Sequence, residues 1–312
     1  MKKFGTKIVV IFLPVIFFLL VMELYISSEL AKGKRYYLQA DWHDLRNHHS
    51  DVLFIGNSRM RNHINPGIID EATGKKAEII GQDGQDMHFM WLKFKEYERN
   101  NKRPEVIFLQ FDPFFLNECK DLFGFDNYRT GFYMNRIDFT SLHQRIGYLW
   151  FYEYLPLAAI DIYLFIRVLF SLTIPADQGF EYARGSQIIQ RKWEGRWDVY
   201  PQIEVKTESV SNYLDSFAIY CKQHNIQLNA IYTPQSYPSY KEVKNVKALG
   251  HMIMLINRKY AINMIFNNYN SPQYNDSTLF HNHMHLNQKG VNVFMKQFLD
   301  STILGMRTIG RE

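Results

Sequence analysis

Short apolar runs recur along the chain and end at turn-forming residues. The runs at 51–56, 77–80 and 105–111 stop at glycine or at an Asp-Pro pair, and those at 227–233 and 262–266 are similar in content. Short runs bounded by glycine and proline are typical of buried β-strands. The pattern therefore predicts five strands, three in the first part of the chain and two near its end.

Longer amphipathic stretches separate these runs. Residues 87–100, 209–224 and 240–260 have a helical pattern, and 287–299 follows the last strand with the same pattern. Strands that alternate with helices predict an α/β domain of three layers, in which a doubly wound parallel five-stranded sheet is covered by helices on both faces. The functional site of such a sheet lies beyond the carboxyl ends of its strands.

A long apolar run follows three lysines at the start of the chain. The run at 8–26 supplies roughly the twenty residues that a hydrocarbon core requires, with Glu23 near its outer end. Basic residues before it and none directly after it predict a transmembrane anchor at 1–26, with the rest of the chain outside the cytoplasm. A cleaved signal peptide is the alternative, but no small-x-small cleavage site follows the run. The polar residues 27–50 are expected to form a stalk.

One segment interrupts the alternation of strands and helices. Residues 113–205 are rich in aromatic side chains, and 154–175 is strongly apolar but carries Asp161 and Arg167. A second membrane span is disfavoured, because each central charge costs on the order of 3 kcal/mol on insertion. The segment is therefore expected to be a helical cap, inserted into a domain at 51–312 and packed on that domain or on the bilayer surface.

Composition narrows the classes of partner. The chain has 312 residues, is 46% hydrophobic and carries a net charge of +5, which suits one large domain with appendages. Its basic residues are spread along the chain, so no nucleic-acid groove is predicted. The two cysteines, Cys119 and Cys221, lack zinc-type spacing, and both a disulfide and a pair of buried thiols remain open. No cofactor is predicted.

The predicted topology can bring two polar residues, Ser58 and His285, close together at one edge of the sheet. Ser58 follows Gly56 at the end of the first strand, where backbone N–H groups at a helix start can stabilise an oxyanion. His285 lies after the fifth strand, immediately before the last helix. Serine needs a base within hydrogen-bond reach to become a nucleophile. Each residue alone is typical of a helix cap or of a surface histidine, but together they predict a nucleophile and its base.

The residues around this pair resemble the sequence blocks of the SGNH/GDSL hydrolases. Gly-x-Ser at 56–58 and His-Leu-Asn-x-x-Gly at 285–290 are similar to the first and last blocks, and Gly81-Gln-Asp-Gly84 is similar to the glycine block. The resemblance covers 51–112 and 209–301. It implies a flavodoxin-like strand order of 2-1-3-4-5, with an oxyanion hole formed by the N–H groups of Ser58 and Gly84.

Two positions depart from the family pattern. Asn282 stands where the family has the Asp that orients the catalytic histidine, and Asp112 stands where it has an Asn that donates to the oxyanion. An asparagine carbonyl can orient the imidazole of His285 but cannot neutralise the imidazolium, and in a serine protease the comparable change costs about 10⁴ in rate. A backbone carbonyl, or Asp276 from the preceding loop, can compensate. Asp112 offers an acceptor unless its pKa is raised.

The resemblance implies a membrane-anchored, extracytoplasmic serine esterase or O-acyltransferase. Its expected substrates are acyl groups of cell-envelope polysaccharide or of a lipid-linked glycan, and its expected partner is a membrane-bound acyl donor protein. Arg59 is expected either to steer an anionic substrate or to form a structural salt bridge.

Two other classes of function are open. One is a catalytically silent carbohydrate-binding or assembly protein on the same fold, which Asn282 and Asp112 favour. The other is a metal-dependent hydrolase built on His281, His283 and His285, although no carboxylate flanks this run closely. His63 and His88 are interpreted as surface residues.

Overall fold

The computed structural model describes eleven stretches of the chain. These are residues 12–18, 20–21, 48–82, 87–111, 180–193, 203–204, 212–236, 243–244, 246–260, 262–266 and 272–306. The chain divides into two compact units, one made of Met1–Asp44 with Asp121–Asp177 and the other of Leu45–Lys120 with Gln178–Glu312. In the first unit, residues 12–18 and 20–21 are helical and expose apolar side chains. All elements described below belong to the second unit.

The secondary structure of this second unit alternates strands and helices. The strands are β1 (Val52–Asn57), β2 (Ala77–Gln82), β3 (Val106–Gln110), β4 (Phe180–Ala183), β5 (Ser186–Ile189), β6 (Ile203–Glu204), β7 (Gln227–Tyr232), β8 (Val243–Lys244) and β9 (Asn263–Phe266). The helices are α1 (Ser58–His63), α2 (Pro66–Thr73), α3 (Met87–Asn100), α4 (Asn212–Gln223), α5 (Val246–Tyr260) and α6 (Gln288–Met306). Short 3-10 turns at Pro272–Asn275 and Ser277–Leu279 precede α6.

Five strands form one parallel sheet in the order β2-β1-β3-β7-β9. β1 lies between β2 and β3, and its Phe54 pairs in register with Ile79 of β2 and with Phe108 of β3. The predicted α/β architecture with a parallel sheet is confirmed. Because all strands run in one direction, the residues that follow β1, β3 and β7 meet at the same edge of the sheet.

The core explains why the strands read as continuous apolar runs. Every residue of β1 and β3 is buried, as expected for a parallel sheet covered on both faces. The rings of Phe54 and Phe108 stack with centroids 4.8 Å apart, and Phe298 of α6 packs edge-on against both. A further aromatic group, in which Trp91 and Phe94 of α3 contact Phe217 of α4, joins these two helices.

Residues 180–189 form a hairpin within the range where a helical insertion is expected. β4 and β5 pair antiparallel around a turn in which Arg184 and Gly185 have φ angles of 45° and 82°. A Cβ atom on Gly185 would lie 1.9 Å from the carbonyl oxygen of Ile79, so this position requires glycine. β5 is fully buried and packs against α1, so this end of the range belongs to the core of the sheet domain. Of the expected insertion, residues 113–179, 194–202 and 205 lie outside the described residues.

The predicted membrane anchor falls mostly outside the described residues. Among the helices that are described, none combines the length and the apolar content needed to cross a bilayer. Residues 27–47 of the expected stalk also lie outside them.

Candidate active site

Ser58 is the first residue of α1 and directly follows strand β1. Asn57 caps this helix, because its side-chain oxygen accepts a hydrogen bond of 2.9 Å from the Arg59 N–H. The carboxamide oxygen of Gln110, at the end of β3, accepts from the backbone N–H groups of Asn57 at 2.9 Å and Met60 at 3.2 Å. One buried side chain of the neighbouring strand therefore fixes the turn that carries Ser58.

Gly56 makes room for this support. A Cβ atom at Gly56 would lie 2.4 Å from the Gln110 Oε1 atom and 2.5 Å from the Cβ of Met60. Real Cβ atoms do not approach other atoms this closely, so any larger residue would displace the Gln110 side chain. The glycine of the Gly-x-Ser motif is thus explained here by close packing.

His285 meets Ser58 at the carboxyl edge of the sheet. The Nε2 atom of His285 lies 2.9 Å from the Ser58 Oγ atom, although the two residues are 227 positions apart in the chain. This distance is within the hydrogen-bond reach that a general base requires. The structure therefore brings together the two residues predicted to act as nucleophile and base.

Asn282 contacts the other ring nitrogen of His285. Its Oδ1 atom lies 3.0 Å from His285 Nδ1 and accepts hydrogen bonds of 2.9 Å from the backbone N–H groups of Met284 and His285. An amide oxygen can only accept, so Nδ1 carries the proton and donates a hydrogen bond to the Asn282 oxygen. The lone pair of Nε2 then faces the Ser58 hydroxyl, which is the tautomer that a general base needs.

Asp276 is engaged elsewhere. Its carboxylate accepts a hydrogen bond from the Thr278 N–H, caps the 3-10 turn at Ser277–Leu279 and lies 3.6 Å from the Lys289 ammonium. Hydrogen bonds from the side chain and the backbone N–H of Thr278, together with the charge of Lys289, lower the pKa of Asp276. The side chain that orients His285 is therefore the amide of Asn282 and not the carboxylate of Asp276.

Asn287 and Gly290 hold the loop that presents His285. The Asn287 Oδ1 atom accepts from the Gly290 N–H at 3.1 Å and caps α6, while its amide nitrogen donates to the carbonyls of Thr278 and Phe280. A Cβ atom at Gly290 would lie 2.1 Å from the Leu279 carbonyl oxygen. The Asn and Gly of the His-Leu-Asn-x-x-Gly motif therefore fasten the start of α6 to the preceding loop.

His63 is not a surface residue, and that interpretation was wrong. It is the last residue of α1, has no exposed surface, and its Nε2 atom accepts a hydrogen bond of 3.0 Å from the Leu286 N–H. Burial lowers its pKa well below the ordinary value, and the charges of His285 and Arg59 act in the same direction. No sequence signal marks His63, since a six-residue helix is too short to show a periodic apolar face. The side chain of His88 lies outside the described residues.

Arg59 is buried beside the nucleophile. It is 1% exposed, its Nη1 atom donates to the Gln235 side-chain oxygen at 2.9 Å, and its guanidinium lies 4.8 Å from the centroid of the Tyr232 ring. These contacts tie α1 to the end of β7. The guanidinium faces the protein interior, which does not match the expectation that it steers a substrate from solvent.

The other residues singled out in the sequence fall into those outside the described residues and those the structure describes. Gly84 and Asp112, the predicted oxyanion donors, lie outside the described residues, as does Cys119. Cys221 is a buried free thiol, and burial raises its pKa to about 12. In the described part of the chain, no group of three or more His, Cys, Asp or Glu side chains is arranged to hold a metal ion.

No family model matches this chain, and no curated protein shows significant similarity to it. What the protein does must therefore be inferred from its site. The site consists of a serine at the start of a helix, a histidine in contact with its hydroxyl and an asparagine that fixes the tautomer of the histidine.

Proposed function

We propose that this protein is an SGNH/GDSL-type serine esterase or O-acyltransferase in which Ser58 is the nucleophile and His285 its general base. The observation that carries the proposal is the 2.9 Å contact between Ser58 Oγ and His285 Nε2. The strand order supports it, because the five strands of the sheet, counted along the chain, lie in the order 2-1-3-4-5 that the family resemblance implies.

The chemistry proceeds by acyl transfer through the serine. Ser58 Oγ attacks the carbonyl carbon of an ester while His285 Nε2 takes the hydroxyl proton. The protonated His285 then gives this proton to the departing alcohol, and an acyl-serine remains. His285 then takes a proton from water or a sugar hydroxyl as that oxygen attacks the acyl-serine, and it returns the proton to Ser58 Oγ as the acid or the new ester leaves.

The first turn of α1 supplies a donor for the oxyanion. The N–H groups of Asn57, Arg59 and Met60 donate to side-chain oxygens of Asn57 and Gln110. In this turn the N–H of Ser58 is the one without a side-chain acceptor among the described residues. We assign the oxyanion to this N–H, with the N–H of Gly84 as the second donor and Asp112 in the place of the third.

Asn282 limits the rate of this chemistry. Its oxygen holds the imidazole in the reactive tautomer but offers no negative charge to the imidazolium that forms when Ser58 loses its proton. We therefore expect slow turnover.

The substrate class rests on the resemblance and on the apolar N-terminal run. In this proposal residues 1–26 anchor the chain in the cell membrane, and the sheet domain acts outside the cytoplasm on acyl groups of envelope polysaccharide or of a lipid-linked glycan. A membrane-bound acyl donor protein supplies the acyl group when the reaction is a transfer.

The second candidate is a catalytically silent carbohydrate-binding or assembly protein. The observation that favours it is the neutral amide of Asn282 in the orienting position beside His285. A silent protein would keep this geometry but would not form a covalent adduct at Ser58.

A fluorophosphonate probe separates the two candidates. We expect the purified full-length chain to be labelled, and the label to be lost in Ser58→Ala and strongly reduced in His285→Ala. Ser301→Ala serves as the matched control, because Ser301 is an exposed serine on α6 whose hydroxyl donates to carbonyls of its own helix. An unlabelled wild-type chain that is folded, or equal labelling of Ser58→Ala, would contradict an enzymatic function.

A further inference from the structure

The two ends of α1 contact the same loop. Ser58 begins this helix and His63 ends it, and the helix is only six residues long. At about 1.5 Å of rise per residue the two ends are roughly 8 Å apart. Ser58 contacts the side chain of His285, and His63 contacts the backbone of the next residue, Leu286. A single turn and a half of helix therefore spans both parts of the loop.

The contact made by His63 is directional. The Leu286 N–H donates to His63 Nε2 at 3.0 Å, so this nitrogen is unprotonated and the neutral ring carries its proton on Nδ1. Both partners are buried without exposed surface. Water cannot replace this acceptor, and its loss would leave a buried N–H group without a hydrogen bond.

We propose that His63 is a positioning residue for the Ser58–His285 pair, because its hydrogen bond to the Leu286 N–H fixes the backbone beside the catalytic base. This inference rests on the proposed function. The Asn282 oxygen holds the backbone on one side of His285 through the Met284 and His285 N–H groups, and His63 holds the other side. These two attachments fix the backbone from which the imidazole of His285 projects toward Ser58.

The neutral state of His63 also suits its place. Its ring centroid lies 6.2 Å from that of His285, so a charge on His63 would oppose the transfer of a proton to His285. Among the described residues, the charged and titratable groups that act on His63 are His285 and Arg59, and both disfavour its protonation. A neutral His63 can therefore accept the hydrogen bond that holds the loop without opposing the transfer of a proton to His285.

Three substitutions test the role of the acceptor. In His63→Gln the amide oxygen can occupy the place of Nε2, in His63→Asn it is one carbon shorter and cannot reach the Leu286 N–H, and in His63→Leu no acceptor remains. The readouts are the maximal rate of fluorophosphonate labelling and the probe concentration that gives half of it. We expect the maximal rate to fall about 10- to 100-fold in the Asn and Leu variants and to stay within about threefold of wild type in the Gln variant. The half-saturating concentration should be unchanged in all three.

A stability control separates positioning from folding. Ile64→Ala removes the buried side chain next to His63 without touching the Leu286 hydrogen bond. It should lower the melting temperature and leave the maximal labelling rate unchanged. If His63→Leu does not fold, the comparison of the Asn and Gln variants decides.

The outcomes distinguish this inference from the proposed function. Equal maximal rates in wild type, His63→Asn and His63→Gln would overturn the role of His63 while Ser58 labelling remains. A rate loss of the same size in Ile64→Ala, at a melting temperature equal to that of His63→Asn, would also overturn it. Absence of Ser58 labelling in the folded wild-type protein would overturn both.

Discussion

Asn282 occupies the place from which a carboxylate would neutralise a protonated His285. Its oxygen already accepts from two backbone N–H groups and from the ring, so an aspartate can make the same three contacts. The difference between the two side chains is therefore one negative charge beside the imidazole. At this position, charge and geometry can be separated by one substitution.

The first prediction concerns that charge. Asn282→Asp should raise the catalytic rate toward a small acetyl ester by about tenfold or more, since the carboxylate stabilises the imidazolium formed in the transition state. It should also raise the pKa of His285 and shift the acidic limb of the pH–rate profile upward. Steady-state hydrolysis of a chromogenic acetate between pH 5 and pH 9 measures both effects. An unchanged rate would mean that proton transfer to His285 does not limit the reaction.

The second prediction concerns the pH dependence of stability. The pKa of buried His63 in the folded protein lies below its unfolded value of about 6.5, so below this pH the unfolded chain binds the proton more readily. Stability should therefore fall as pH drops from about 6.5 toward the folded pKa, by on the order of 1 kcal/mol per pH unit. Burial also lowers the pKa of His281, so this residue contributes a loss of stability in the same direction as pH drops.

Urea unfolding at pH 7.5, 6.5 and 5.5 measures this dependence in wild type and in His63→Gln. The Gln variant should lose less stability between pH 6.5 and 5.5, because it retains only the contribution of His281 and other groups. If the free energy of unfolding falls equally with pH in the two proteins, the folded protein protonates His63 as readily as the unfolded chain does.

At the level of secondary structure, the turn between β1 and α1 is held by packing from β3. Gly56 leaves space for the Gln110 side chain, whose oxygen accepts from two N–H groups of the turn. The third prediction is that Gly56→Ala destabilises the fold by about 1–3 kcal/mol through overpacking and also lowers Ser58 labelling. Gly67→Ala is the matched control, since a Cβ atom there meets a single atom at 3.2 Å. Similar unfolding midpoints in the two variants would contradict the packing role of Gly56.

Two glycines with positive φ angles, Gly74 after α2 and Gly185 in the β4–β5 turn, allow backbone strain to be separated from steric clash. Gly74 and Gly185 both have positive φ angles, of 69° and 82°, but a Cβ atom at Gly74 meets nothing within 4 Å while one at Gly185 collides with the Ile79 carbonyl. The fourth prediction is that alanine costs about 1 kcal/mol at Gly74 and about 3 kcal/mol or more at Gly185. Denaturant unfolding of the two variants checks this, and equal losses would show that the hairpin can move away from β2.

At the scale of the whole molecule, the parallel sheet was predictable because its strands are buried on both faces. Such strands appear in sequence as unbroken apolar runs ended by turn residues, and β1 and β3 lie within two residues of the predicted bounds. The meeting of Ser58 and His285 was also predictable, since both follow strands of one parallel sheet.

Other features left no such pattern. The four-residue strands β4 and β5 are too short to show alternation, and the burial of β5 depends on contacts with α1 that sequence spacing does not reveal. His63 and Arg59 are polar residues that would ordinarily be placed at the surface, but α1 packs against β5, Arg59 contacts Tyr232 of β7, and His63 contacts the loop beside His285.

A crystal structure of the fluorophosphonate-treated protein tests the central claim most directly. We predict a phosphorus atom bonded to Ser58 Oγ, one of its oxygens within about 3 Å of the Ser58 N–H, and His285 Nε2 within hydrogen-bond distance of the adduct. An unmodified Ser58 whose hydroxyl lies away from His285, or an adduct on a different residue, would contradict the assignment of nucleophile and base.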